Sequence, residues 1–595
     1  MPTSQSDAQV AFQGLLADMF EQLLKDSPEL ATDLGLDRGR HAAAASRWDD
    51  RSLAADAAFL NRQRDFRRRL TRVDPARLSA DERVHRETLL AHLGVSLDAA
   101  ETHSYGLRGD AAPFMGSQFS ATHPYVLSPL DGAYGALPDF LTMKHRLDSA
   151  DDARAFVERV ARMADAMDQE TSRAAVDLRR GVVPPRALLT STLKSLDALL
   201  QQPAEDLPAI QRLRAAAAGL QLDPGLASTA AQTFEKSVRP ALRRQIDLLE
   251  SHRSKAPLEP GAWQLPGGEA YYRHACSINT SSSLSPQEIH QLGLQEVAAL
   301  SSRLDALLKT HGYTAGAVGE RLAGLASEVR FTFADTEAGK QSLLAVLREL
   351  TDQASARMAS VFGRLPTSAL DIRRVPAALE DSAPRGYAET GSLDGSRSGA
   401  FYANLRTTNE WTRFFLPTFA FHEGIPGHHL QKSLALESAA VPVLNKVLWL
   451  PGFGEGWACY AEQLADELGL YENNAMGQIG YLQSMLFRAA RLVVDTGLHH
   501  HRWPRQRCID YLRITLGERE SRCASEVDRY AVWPGQALSY KCGHNAWVSL
   551  RERMQRELGA KFSLKNFHDA ALRYGCVPFD VLEAAVRARL KADAA

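Results

Sequence analysis

The residues that could do chemistry are concentrated between Phe421 and Glu462, where His422-Glu423-Gly424-Ile425-Pro426-Gly427-His428-His429 is followed downstream by Gly454-Glu455-Gly456-Trp457. Two neutral imidazoles and one carboxylate are what a catalytic zinc ion takes from a protein, its fourth position being left for water. A glutamate directly after the first histidine cannot easily turn back to the ion its neighbour holds, but it can take a proton from water that the ion activates. We therefore read His422, His428 and Glu455 as ligands of a zinc cofactor and Glu423 as the general base. Glu462, seven residues beyond Glu455 and so on the same helical face, is placed to orient a ligand histidine through its other ring nitrogen.

The spacing of the histidines departs from the usual H-E-x-x-H, in which four residues separate the two ligands on one helical face. On an unbroken helix turning about 100° per residue, His429 rather than His428 would line up with His422. Pro426 removes a backbone donor and Gly427 is permissive, so the helix must bulge or kink between the two histidines and the simple count fails. On the residues alone, His429 stands as the alternative second ligand.

His-Glu-x-Ile-Pro-Gly-His-His-Leu-Gln at 422–431, with Glu-Gly-Trp-Ala-x-Tyr at 455–460, resembles the signature of the bacterial domain of unknown function 885 family. That family is distantly similar to the helical zinc peptidases of the thimet oligopeptidase and carboxypeptidase Taq type. Setting Gly427-His428-His429-Leu430 against the G-H-A-L of those enzymes implies His428 as the ligand. The resemblance also implies a mainly α protein of zincin-like, gluzincin type, with a small β-sheet beside a deep active-site groove. Arg529 to Lys541 is similar to the tyrosine-bearing segment of the thimet-type enzymes, which implies that Tyr540 donates to the developing oxyanion. Arg529 and Lys541 flank that tyrosine and could neutralise a substrate carboxylate. The implied activity is hydrolysis of short peptides; a zinc amide hydrolase of non-peptide substrates and a non-catalytic metal-stabilised binding protein are the rivals.

The elements that must position these groups are mostly helices. From about Ala8 to His252 the pattern is helical throughout, as in Phe156, Val160, Met163 and Met167, which keep to one face. Pro- and Gly-rich Lys255 to Gly268 divides an N-terminal half, 1–255, from a catalytic half, 256–595. Ser285, Pro286 and Glu288 form a capping box that starts a helix. Strands are expected at Val329 to Phe333, Leu370 to Val375 and Gly399 to Leu405. The last, carrying Tyr402, lies where zinc peptidases place an exposed edge strand that pairs with the substrate backbone, so Tyr402 joins the expected substrate-binding residues. Pro442 to Phe453 reads as a connection, and a helix is expected from Gly456 to Leu468, opened by Glu455. Gly106 to Asp139 reads as a long loop that the resemblance brings toward the substrate, with Tyr125 packed rather than catalytic. Asp495 and His499, four apart, are expected to bond one another or support the metal shell.

Composition narrows the partners. A net charge of −2 over 595 residues offers no long-range attraction to phosphate backbones or anionic lipid, which argues against nucleic-acid or membrane-surface binding. Six cysteines without a C-x-x-C pair read as buried free thiols. No apolar run reaches the ~18 residues of a membrane span. As written, the sequence suggests the cytoplasm, or the periplasm if a leader has been removed.

Overall fold

The computed structural model describes residues 7–107, 122–380, 383–472 and 474–594. It is mainly helical with one small sheet. In the N-terminal half the helices run from Asp7–Asp26 to Arg239–Glu250. Phe156, Val160, Met163 and Met167 are all buried along the helix Ala150–Arg179, as their spacing requires. The helix Pro286–Thr310 begins with the expected capping box, Ser285 accepting from the Glu288 amide and Glu288 accepting from the Ser285 amide. All six cysteines are free and buried. No described helix is long and apolar enough to cross a membrane.

Hydrophobic cores cross position 255. One gathers Tyr125 and Leu188 with Tyr271 and Tyr530, a second packs Val84 with Trp457 and Trp547, and a third packs Leu15 and Leu89 with Leu444 and Leu448. A further core around Phe156 and Phe234 lies wholly between Trp48 and Ala256. Tyr125 is thus a packed residue. Of the loop expected over 106–139, residues 108–121 lie outside the described residues, and a helix already begins at Ala133.

The sheet consists of β1 (Leu370–Arg374), β2 (Gly386–Glu389) and β3 (Gly399–Ala403), in the order β1-β3-β2. β3 pairs in parallel with β1 and antiparallel with β2, and all five of its residues are buried. This corrects the edge-strand expectation, because both hydrogen-bonding sides of β3 are already used. Tyr402 is corrected with it: its ring stacks on Tyr387 at 5.1 Å and packs among Val375, Leu379 and Ala400. The edges belong to β1 and β2. Val329 to Phe333 is not a strand either: Val329–Phe331 is a 3-10 turn. Its alternation arises because Phe331 and Phe333 are buried while Val329 is exposed, and Phe331 bonds the Arg413 amide rather than a neighbouring strand.

Close helix packing then aligns the C-terminal half. The helix Pro451–Glu467 crosses Ser539–Leu558 where Gly452 and Gly456 meet Gly543. A Cβ on Gly456 would lie 2.4 Å from the backbone of Gly543, so only glycines allow the two backbones this close.

Candidate metal centre

Four helices supply the site. His422 and Glu423 end the helix Leu416–Glu423, and His428 begins the helix His428–Glu437. Between them Gly424 to Gly427, with a cis Ile425–Pro426 peptide, turn the chain back on itself. The turn is tight enough that a Cβ on Gly427 would fall 1.9 Å from the His422 carbonyl oxygen. Trp457 pins it by donating its indole N–H to the Pro426 carbonyl at 3.0 Å. The chain therefore breaks the helix completely, and the imidazoles of His422 and His428 face one another, ring centres 5.0 Å apart at 83°. His429 points elsewhere: its Nε2 lies 3.2 Å from the Ser368 carbonyl and its ring rests against Gly399.

Glu455 comes from the third helix, which starts at Pro451 rather than after Glu455 as the sequence suggested. Pro451 takes a first-turn position where its missing N–H costs nothing, so the start moves back and Glu455 sits inside the helix. Its Oε2 lies 3.4 Å from His428 Nε2 and 3.8 Å from His422 Nε2. Donor atoms from His422, His428 and Glu455 all lie within 4.8 Å of one another, and all three residues are buried. Tetrahedral ligands with bonds of about 2.0–2.1 Å stand roughly 3.3–3.4 Å apart, so this donor set fits a zinc ion with little adjustment.

His422 Nδ1 is held by Glu462 Oε1 at 2.8 Å, leaving Nε2 directed at Glu455. Glu462 is wholly buried; its other oxygen accepts from the Thr418 hydroxyl, and Arg488 stands 3.5 Å from Oε1. Although burial pushes the Glu462 carboxyl up, Arg488, His422 and Thr418 together hold it below the usual range. Burial likewise acts against the charge on His422, but Cys459 and Glu462 outweigh it and raise its pKa. Burial drives His428 down to about 4, so at neutral pH it is the uncharged imidazole that a metal requires. Burial pushes the Glu455 carboxyl up, but the hydrogen bond to His428 and the nearness of His422 and Lys432 hold it well below the usual range. Glu423 is pushed up to about 7 by burial and, after the opposing effect of His422, by Glu455, which suits a group that must both take and return a proton.

Tyr540 opens the fourth helix and lies parallel to His422, ring centres 6.4 Å apart. Arg529 donates to its hydroxyl at 3.4 Å. Lys541 is brought to the same helix turn, where it pairs with Glu296 at 3.2 Å and lies 3.2 Å from His544. Asp495 and His499 do not pair with each other. Asp495 accepts from the Tyr272 hydroxyl and the Gly535 amide, while His499 bridges the Ala262 amide and the Tyr530 carbonyl.

Sequence reading missed Lys432, Arg488 and the contact role of Arg491. Lys432 follows His428 by one turn, and its ammonium lies 4.5 Å over the Trp449 ring, with Glu455 and Glu423 as nearby charges. Arg488 and Arg491 are three apart on the helix Ala475–His499 and both lie against the Tyr540 ring. Helical spacing could have paired each with its neighbour, but nothing in the sequence tells which ring it meets.

Among solved structures, one described as a “putative lipoprotein” from Colwellia psychrerythraea is 30% identical over 99% of this chain and 100% of its own, with a TM-score of 0.94. A second lipoprotein structure so described, of unknown function and from Shewanella oneidensis, is 15% identical over 97% and 99% of the two chains, with a TM-score of 0.69. Comparison with curated proteins found no match. The model of the bacterial proteins of unknown function DUF885 matches residues 28–586, and the chain belongs to that family.

Proposed function

We propose that the protein is a zinc metallopeptidase that hydrolyses short peptides, with His422, His428 and Glu455 as ligands. The observation that carries this reading is the convergence of three buried donors within 4.8 Å of one another, with Glu423 one residue from the first and Glu462 fixing its ring. Zinc bound there would supply a Lewis acid that polarises a scissile carbonyl and acidifies water. Glu423 takes a proton from the attacking water and returns it to the leaving amine. Tyr540 donates its phenolic hydrogen bond to the carbonyl oxygen as charge builds there, an interaction made mainly in the transition state. A distant kinship with thimet-type and carboxypeptidase Taq peptidases and a groove between the helical halves belong to the same proposal. A cell-envelope location is also proposed, because the Colwellia relative is described as a lipoprotein.

Elemental analysis tests the site and a peptide library tests the reaction. About one zinc per chain and peptide cleavage lost in Glu423→Gln, with zinc retained, are the expected results. Activity undiminished in Glu423→Gln, or no metal taken up on reconstitution, would sink the reading.

A further inference from the structure

Three guanidinium groups converge on one phenol ring beside the candidate metal centre. Arg491 Cζ lies 4.5 Å and Arg488 Cζ 5.6 Å from the centre of the Tyr540 ring, and Arg529 donates to its hydroxyl. Their carboxylate partners are too few. Arg491 has Glu526 at 3.0 Å, and Arg488 reaches only a longer 3.5 Å contact with Glu462, which His422 and Thr418 already occupy. Arg529 bonds two neutral groups, Gln536 Oε1 at 2.8 Å and the Tyr540 hydroxyl, and among the described residues no carboxylate lies within ion-pair distance of it. The Nε atoms of all three arginines are buried without a hydrogen-bond partner. Arg491 is only 4% exposed and Arg488 9%.

Buried guanidinium groups are costly unless paired, and each presents a planar fork matched to a carboxylate. We propose that Arg488, Arg491 and Arg529 anchor the free C-terminal carboxylate of a peptide, making the protein an exopeptidase that trims short peptides from that end. This rests on the peptidase reading of the same site. Tyr540 touches both the His422 ring and the arginines, so only a short stretch of substrate separates the scissile bond from the anchor. Hydrolysis there breaks one C–N bond: the water oxygen joins the new carboxylate, and both water protons leave on the released amine, which departs as an ammonium group. An acidic side chain presents the same chemistry as a C-terminus, so the test must separate the two.

The full chain carrying Glu423→Gln, reconstituted with zinc, is titrated by calorimetry with Ala-Ala-Phe, with its C-terminal amide and with Ala-Asp-Phe amide. The free acid is expected to bind at least ~10-fold more tightly than either amide. Adding Arg529→Gln or Arg491→Gln is expected to shrink that ratio to within about twofold. Arg529 meets only neutral groups, so its variant carries the test if Arg491→Gln fails to fold by circular dichroism. Equal binding of acid and amide, binding of neither, or a ratio unchanged in Arg529→Gln overturns the anchor. Binding of Ala-Asp-Phe amide as tight as the acid overturns the C-terminal assignment. The peptidase reading fails separately, if the wild-type protein cleaves neither free-acid nor amidated peptides.

Discussion

His422 and His499 are both buried histidines near the end of a helix, each with an acid that the sequence offers as a partner, yet they end in opposite roles. His422 gives Nδ1 to Glu462 and turns Nε2 toward Glu455, so a carboxylate orients the ring and aims its second nitrogen at the other candidate donors. His499 spends Nδ1 on the Ala262 amide and Nε2 on the Tyr530 carbonyl, which ties the helix Ala475–His499 to two neighbouring segments and leaves no lone pair for an ion. Its acid, Asp495, is taken by the Tyr272 hydroxyl and the Gly535 amide. The lesson is that a histidine's fate depends on what consumes its two nitrogens. A backbone partner on each makes a cross-link, whereas a carboxylate on one orients the other toward neighbouring donors.

The comparison breaks most decisively at the metal itself. His428→Ala and Glu455→Ala are each expected to bring bound zinc from about one per chain to below ~0.1 by elemental analysis, because three protein ligands are the minimum of a catalytic site. His499→Ala and His429→Ala should keep it. Loss of zinc in His499→Ala with retention in His428→Ala would reverse the assignment. A smaller effect is expected at Glu462→Gln, where the orienting charge is lost while an acceptor oxygen remains. Zinc affinity should fall roughly 10–100-fold in competition with a chelator, and unchanged affinity would remove Glu462 from the site.

The least effect on the metal belongs to Asp495→Asn, for which zinc affinity should stay within about twofold, since the side chain is not joined to the donor set. Its effect lies in stability. Burial, opposed by Tyr272, Gly535 and Arg491, raises the Asp495 carboxyl to about 7 in the fold. An unfolded aspartate titrates near 3.9, so between about pH 4 and 7 the native state binds the extra proton. Stability therefore falls as pH rises through that window and does not recover above it. Asn removes this slope, worth roughly 2–4 kcal/mol between the two limits. Urea midpoints of the two proteins at pH 5 and pH 8 measure it. A midpoint difference independent of pH would show that Asp495 keeps its ordinary affinity for protons.

Helices were legible because amphipathic spacing is local. Phe156 to Met167 and the Ser285–Glu288 capping box needed only their own neighbours, and both stand as expected. Strands were less so. Leu370–Arg374 and Gly399–Ala403 were found, but β2 was not, because Gly386–Glu389 is half-buried throughout and shows no alternation. That missed strand is what converts β3 from an edge into the centre of the sheet and stacks Tyr387 on Tyr402. Val329 to Phe333 misled for the converse reason: two buried phenylalanines alternate with exposed residues without a partner strand beside them.

The sequence by itself determined the inventory: a histidine and glutamate side by side, a proline and glycines that must break the helix after them, and a second acid-bearing helix downstream. Those follow from covalent limits on backbone bonding that no tertiary context can repeal. Only the tertiary structure decided which donors meet. It chose His428 over His429 by restarting the helix after a tight glycine turn, brought Glu455 and Glu462 against His422 from another helix, and let Gly456 and Gly543 touch so that Tyr540 and the arginines close around them. Such meetings depend on distances between segments far apart in the chain, set by which backbones can approach, and no local pattern of residue types encodes them.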